Sequence, residues 1–170
     1  VPGVYATELK KGSELLWLDI NRGLRSLTDS FLDPLQIQTD LSPLDFSIFT
    51  GNVISRIDYE AHIPTGAVYH GSFDYTNSLL TELLAAGYVE GRDVFTFPYD
   101  WRFGAAGNVD ALKNRIQQIL DQTHAEKIDI IAHSTGGLIV KRYVQTNENH
   151  KIGKAIFIAV PNLGAPKAVN

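Results

Sequence analysis

The chain has 170 residues, 44% of them hydrophobic and 20% charged, which suits one globular domain with a sizeable core. A formal net charge of −4, a pI near 5.7 and 15 scattered basic residues give no electrostatic basis for binding nucleic acid. With no cysteine, disulfides, thiolate chemistry and a Cys-based zinc site are excluded, and no stretch approaches the roughly 18 apolar residues of a membrane span or has the pattern of a signal peptide.

The sequence contains no methionine and opens on Val1-Pro2-Gly3, which reads as a processed piece of a longer protein. An apolar residue followed by Pro-Gly suits the end of a strand running into a loop. Residues 1–9 are read as the start of a core, and residues 10–65 as a cap or lid inserted into it. In that insertion Asp33-Pro34 and Leu41-Ser42-Pro43-Leu44 break up short apolar runs, while Trp17, Phe31, Phe46 and Phe49 call for burial. From residue 66 to 170 helix and strand patterns alternate. Tyr75, Leu79, Leu80, Leu83 and Leu84 recur at helical spacing between Asp74 and Gly87. Asp93 to Phe97 is a short strand closed by Pro98. Val109, Leu112, Ile116, Ile119 and Leu120 form the next stripe behind an Asn108 N-cap. Ile128–Ala132 is an apolar strand, residues 137–145 a helix and Lys154–Val160 a further strand. Strands separated by helices of about 10 to 15 residues imply right-handed βαβ units, hence an α/β fold with a mostly parallel sheet and helices on both faces.

The chemistry-bearing run is Ala132-His133-Ser134-Thr135-Gly136-Gly137. A serine at a sharp strand-to-helix turn, with small residues two positions away on each side, is the nucleophile elbow of the α/β-hydrolases, with Ala132 in place of the first glycine of G-x-S-x-G. Ser134 is therefore the candidate nucleophile. The backbone N–H of Thr135, at the N-terminus of the following helix, and that of Val4 in the opening loop are the candidate oxyanion donors. His133 reads as structural. Asp100 and Arg102 read as an ion pair fixing the Trp101 loop, Asn162 and Leu163 as pocket lining, and Lys141-Arg142 as a cationic pair in the last turn of the elbow helix. Neither His62 nor His70 follows the nucleophile, so both read as lid or surface residues.

Several stretches together resemble the lecithin:cholesterol acyltransferase family, which includes lysosomal phospholipase A2-type acyltransferases and bacterial lipase relatives. They are Val1-Pro2-Gly3, Leu16-Trp17-Leu18, Phe97-Pro98-Tyr99-Asp100-Trp101-Arg102, the Ala-His-Ser-Thr-Gly-Gly elbow and Pro161-Asn162-Leu163-Gly164-Ala165-Pro166-Lys167. Two positions depart from the family pattern. The opening loop reads Val4-Tyr5-Ala6-Thr7 where another Gly and Ser are usual, and Thr135 stands where Met is common. The resemblance implies ping-pong acyl transfer through an acyl-enzyme on Ser134, from a lipid-like ester to water or to an alcohol. It also implies transient contact with a lipid surface, a secreted or lysosome-like setting, and no metal or organic cofactor.

A serine hydroxyl needs a base, and the base an orienting carboxylate, following in the order Ser, acid, His in this fold. After Ser134 there is no Asp, and Glu148 and His150 come only after a helix that carries the chain roughly 15 Å away. The expectation is that acid and base lie beyond Asn170 and that the 170 residues alone are nearly inactive. Two rivals stay open: a non-catalytic binding module that keeps the elbow, and a thioesterase or peptidase on the same fold.

Overall fold

The computed structural model describes residues 1–26, 28–63 and 65–164, so the stretch Ala165-Pro166-Lys167 lies outside the described residues. Three small sheets organise the chain. Strand β1 (Thr7–Lys11) is flanked antiparallel by β2 (Glu14–Trp17) and β3 (Ile48–Val53), in the order β2-β1-β3. Gly12, in the left-handed region at φ 57°, makes the tight reversal between β1 and β2. The inward residues Leu9, Leu16 and Ile48 form a small core of their own, with Trp17, Leu35 and Trp101 against it. Between β2 and β3 the chain makes a short helix α1 (Ile20–Arg25), capped by the Asp19 carboxylate on the Arg22 N–H, and a 3-10 helix, Ser30–Leu35.

The segment read as an irregular insertion thus contains a paired sheet. Its strands are four to six residues long, too short for their alternation to stand out from the turns between them. Two aromatics expected to be buried there are not, since Phe46 is 80% and Phe49 48% exposed. A hairpin follows, β4 (Arg56–His62) with β5 (Val68–Asp74), in unbroken antiparallel register from Arg56↔Asp74 to His62↔Val68.

Helix α2 (Asn77–Ala85) follows the predicted stripe. The Asp74 carboxylate accepts the N–H groups of Asn77 and Ser78, and Gly87 at φ 95° ends the helix. Helix α3 (Val109–Thr123) buries Leu112, Ile116 and Leu120. Strand β6 (Ile128–His133) leads into helix α4 (Thr135–Thr146), and β7 (Ile152–Ile158) returns parallel to β6. Helices α3 and α4 and strands β6 and β7 share the main core, in which Phe97, Tyr99, Ile130, Ala132, Ile139, Val140, Tyr143 and Ile152 pack around the α3 stripe.

The parallel sheet is smaller than expected. Among the described residues it consists of β6 and β7, with Val1 bonded to the free edge of β6. Among the described residues the predicted strand Asp93–Phe97 pairs with nothing beyond one Glu90↔Val94 bridge. Phe97 is apolar because it enters the core, and burial alone does not make a ladder. Helices α3 and α4 pack on one another, while Ile156, Phe157 and Ile158 of β7 are 41–55% exposed. Lys141 and Arg142 sit in the middle of α4, not its last turn.

Candidate active site

The turn at Ser134 is built from β6 upward. At the end of the strand the chain reverses through Ser134, which adopts φ 51° and ψ −127° and directly precedes α4. L-residues rarely occupy this region, and it persists only where the surroundings dictate it. The Ser134 N–H donates to the Ile158 carbonyl of β7 at 2.9 Å, and its own carbonyl accepts the Gly137 N–H at 3.0 Å. One residue earlier, the His133 N–H donates to the Val1 carbonyl at 3.0 Å. The reversal is therefore tied to a neighbour on either side of β6.

The small residues around it each answer to a contact. Ala132 is fully buried beneath the turn. A Cβ on Gly136 would fall on the Pro2 carbonyl oxygen and lie 2.8 Å from that of Val1, so glycine lets the opening segment cross the start of α4. A Cβ on Gly137 would strike the Val160 methyl groups. The Ser134 side chain is half-buried, neither sealed into packing nor placed within a regular helix.

The opening loop lies against the same turn. Val1 is held beside β6 by its nitrogen, which donates to the Ile131 carbonyl at 2.9 Å. A Cβ on Gly3 would be 3.1 Å from Ser134 Cβ and 3.1 Å from His133 Nδ1, which places the loop backbone next to the serine. A turn closed by Ala6 N–H to Gly3 carbonyl at 3.4 Å follows, with Tyr5 at φ 65°. No acceptor among the described residues takes the Val4 N–H. The Thr135 N–H belongs to the first turn of α4, where no intrahelical carbonyl is available. The structure thus brings Ser134, Thr135 and the Val4 loop to one place.

The Phe97–Arg102 run stands behind that loop. Arg102, its side chain 2% exposed, forms a two-pronged pair with Asp100, Nε to Oδ1 at 2.9 Å and a terminal nitrogen to Oδ2 at 2.7 Å. Asn108 holds the N-cap position of α3 as expected, but its side chain makes no capping bond and turns its amide to the carbonyls of Asp100 and Gly104 at 2.8 and 2.7 Å. The Trp101 indole N–H donates to the Thr7 carbonyl at 3.2 Å, and Tyr99 N–H donates to the buried Thr7 hydroxyl at 3.3 Å. From the other side, the Trp17 indole N–H donates to the Tyr5 carbonyl at 2.8 Å. The sequence reading assigned no such role to Trp17 or Trp101, although they are the chain's only tryptophans and both fall within the stretches singled out.

The other polar candidates are engaged elsewhere. His62 and His70 both approach the Glu60 carboxylate on the hairpin, at 2.8 and 3.5 Å. His150 accepts the Ile152 N–H on Nδ1 at the far end of α4, and its carbonyl takes the Tyr143 hydroxyl. Lys141 bonds the Asn162 side-chain oxygen and lies 5.3 Å from the centre of the Phe157 ring. Leu163 is fully exposed. Neither Asn162 nor Leu163 lines the apolar cavity of about 650 Å³ that runs along β6 between α2 and α3. That cavity reaches Val1, Pro2 and His133 but not Ser134 itself. Among the described residues no helix is long and apolar enough to cross a membrane.

Comparison with known proteins gives a consistent picture. The family described as lecithin:cholesterol acyltransferase matches residues 14–170, a span that begins after the opening loop. The chain is similar to a lecithin-cholesterol acyltransferase-like protein 4 of Arabidopsis thaliana, 31% identical over 61% of this chain and 20% of the relative. It is also similar to an Arabidopsis phospholipase A(1), LCAT3, at 29% identity over 61% of this chain and 23% of that protein. A Saccharomyces cerevisiae protein without a described function is 27% identical over 76% of this chain and 19% of its own length. The chain therefore spans about a fifth of the length of these curated relatives. No solved structure matches it.

Proposed function

Because the chain belongs to the lecithin:cholesterol acyltransferase family, whose fold is that of the α/β-hydrolases, we propose that it carries the nucleophile of a lipid acyl hydrolase or acyltransferase, with Ser134 as the attacking residue. The observation that carries this reading is the conformation of Ser134, a non-glycine residue held at φ 51° and ψ −127° between a parallel strand and a helix. A strained residue in that position is retained where its side chain must stand clear of the sheet edge.

In this reading Ser134 Oγ attacks the ester carbonyl carbon while its proton passes to a base. The carbonyl oxygen becomes an oxyanion held by the Thr135 and Val4 N–H groups. Collapse of the tetrahedral adduct expels the alcohol, which takes the proton, and leaves an acyl group on Ser134. Water or a second alcohol then attacks the acyl-enzyme and regenerates the serine. The histidine base and its carboxylate are supplied by residues outside these 170, in the order acid then histidine. The phospholipase A(1) name of one relative supports a glycerophospholipid as donor, and residues 10–65, with their exposed Phe46 and Phe49, serve as the cap that meets the lipid surface.

The test uses a protein that contains this chain together with the acid–base pair. Phosphatidylcholine vesicles are supplied with and without a long-chain alcohol, and free fatty acid and ester are quantified. Turnover that disappears in Ser134→Ala is the expected result. Vesicle binding with no turnover in the parent protein would favour a non-catalytic binding module, and turnover that survives Ser134→Ala would remove the serine from the mechanism.

A further inference from the structure

Val4 is a weak point in the proposed machinery, because its amide sits in a loop that the sequence does not obviously stabilise. The turn places Tyr5 at φ 65°, a conformation that suits glycine and strains a tyrosine. Tyr5 is also 47% exposed, so burial does not hold it there. Left to itself, the loop would relax and its amide would swing away from Ser134.

Two tryptophans oppose that relaxation. Resting on the Ser134 reading above, we propose that Trp17 and Trp101 are positioning residues for the oxyanion loop, clamping the carbonyls of Tyr5 and Thr7 so that the Val4 N–H stays beside Ser134. The two indole N–H groups reach alternate carbonyls of one short segment, at 2.8 Å and 3.2 Å. The Tyr5 ring packs against both indoles. Its centroid is 5.2 Å from Trp17 and 4.8 Å from Trp101, and the two indoles are 5.3 Å apart, all in tilted or edge-on arrangements of the favourable kind. The three rings form a closed triangle over the strained residue.

Each clamp stands on a rigid support, and the two supports are independent. Trp17 ends β2, paired opposite Leu9 of β1. Trp101 lies between Asp100 and Arg102, whose buried ion pair fixes the loop, and Asn108 holds that loop from behind. The Thr7 hydroxyl, accepting the Tyr99 N–H, pins the end of the segment once more. At the other end Val1 is bonded to β6. The short span from Pro2 to Ala6 is thus stretched between fixed points, and the amides of Gly3, Val4 and Tyr5 in it have no protein acceptor among the described residues, Val4 being the one assigned here to the oxyanion. An idle donor in a strained loop beside a candidate nucleophile is the arrangement that oxyanion stabilisation requires, since preorganised dipoles need not reorient during reaction.

The experiment removes the indole N–H while sparing the ring, in a protein that contains this chain and the acid–base pair. Trp17→Phe and Trp101→Phe are compared with proteins in which each tryptophan is replaced by β-(3-benzothienyl)alanine, which keeps the bicyclic shape but has no N–H. Turnover is normalised by active-site titration, so that misfolded protein does not count. The expected result is a fall in kcat of about 10- to 100-fold with KM changed by less than about twofold, the signature of lost transition-state stabilisation. Labelling of Ser134 by a fluorophosphonate slows in parallel. A role confined to folding would lower the titrated fraction and leave kcat per site unchanged. If the phenylalanine variants do not fold, the benzothienyl proteins decide. A kcat within about twofold of the parent protein in both overturns the proposal. Activity that persists in Ser134→Ala identifies failure of the underlying serine reading instead.

Discussion

At position 134 the backbone stores conformational energy, because φ 51° and ψ −127° cost a residue with a Cβ on the order of 1–3 kcal/mol. Ser134→Gly removes that Cβ and the strain with it. The variant should unfold at higher urea concentration than the parent, by about 1 kcal/mol after allowance for the extra entropy of glycine in the unfolded chain, and it should lose all turnover. An unchanged or lowered midpoint would mean that the serine is not strained. Stability and activity moving in opposite directions at one residue is the behaviour of a functional site. Ser134 was legible in the sequence because its requirements are local, a strand, a turn and small neighbours at fixed spacing. The clamp was not, because Trp17 and Trp101 lie 84 positions apart in the chain and are brought into contact only by the fold.

Among the elements, the crossing of the opening segment over the start of α4 carries the most stringent packing requirement. In Gly136→Ala the new methyl group meets backbone carbonyl oxygens of Val1 and Pro2, which have little freedom to move. In Gly137→Ala it meets the methyl ends of Val160, which can turn aside. The first substitution should cost about 3 kcal/mol and the second clearly less, read from urea midpoints of the two variants. Equal costs would place the opening segment farther from α4 than described here. The helices were read well because their apolar stripes repeat over several turns, as with Leu112, Ile116 and Leu120 of α3. Strands fared worse. The run at residues 93–97 signals burial, yet whether it joins a ladder depends on partners distant in sequence, and it stays unpaired apart from the bridge at Val94. The sheet of β1, β2 and β3 escaped notice for the opposite reason, since its strands are short and its core is only Leu9, Leu16 and Ile48.

Across the molecule, the opening segment ties the edge of the parallel sheet to the candidate site, because the Val1 nitrogen and carbonyl bond Ile131 and His133 of β6. The most direct test of the account is chemical. A protein containing this chain and the acid–base pair is treated with a fluorophosphonate, digested, and its adduct located by mass spectrometry. The account predicts one stoichiometric adduct on the peptide bearing Ser134, abolished by Ser134→Ala. An adduct at another residue, or none in a protein that hydrolyses lipid esters, would contradict it.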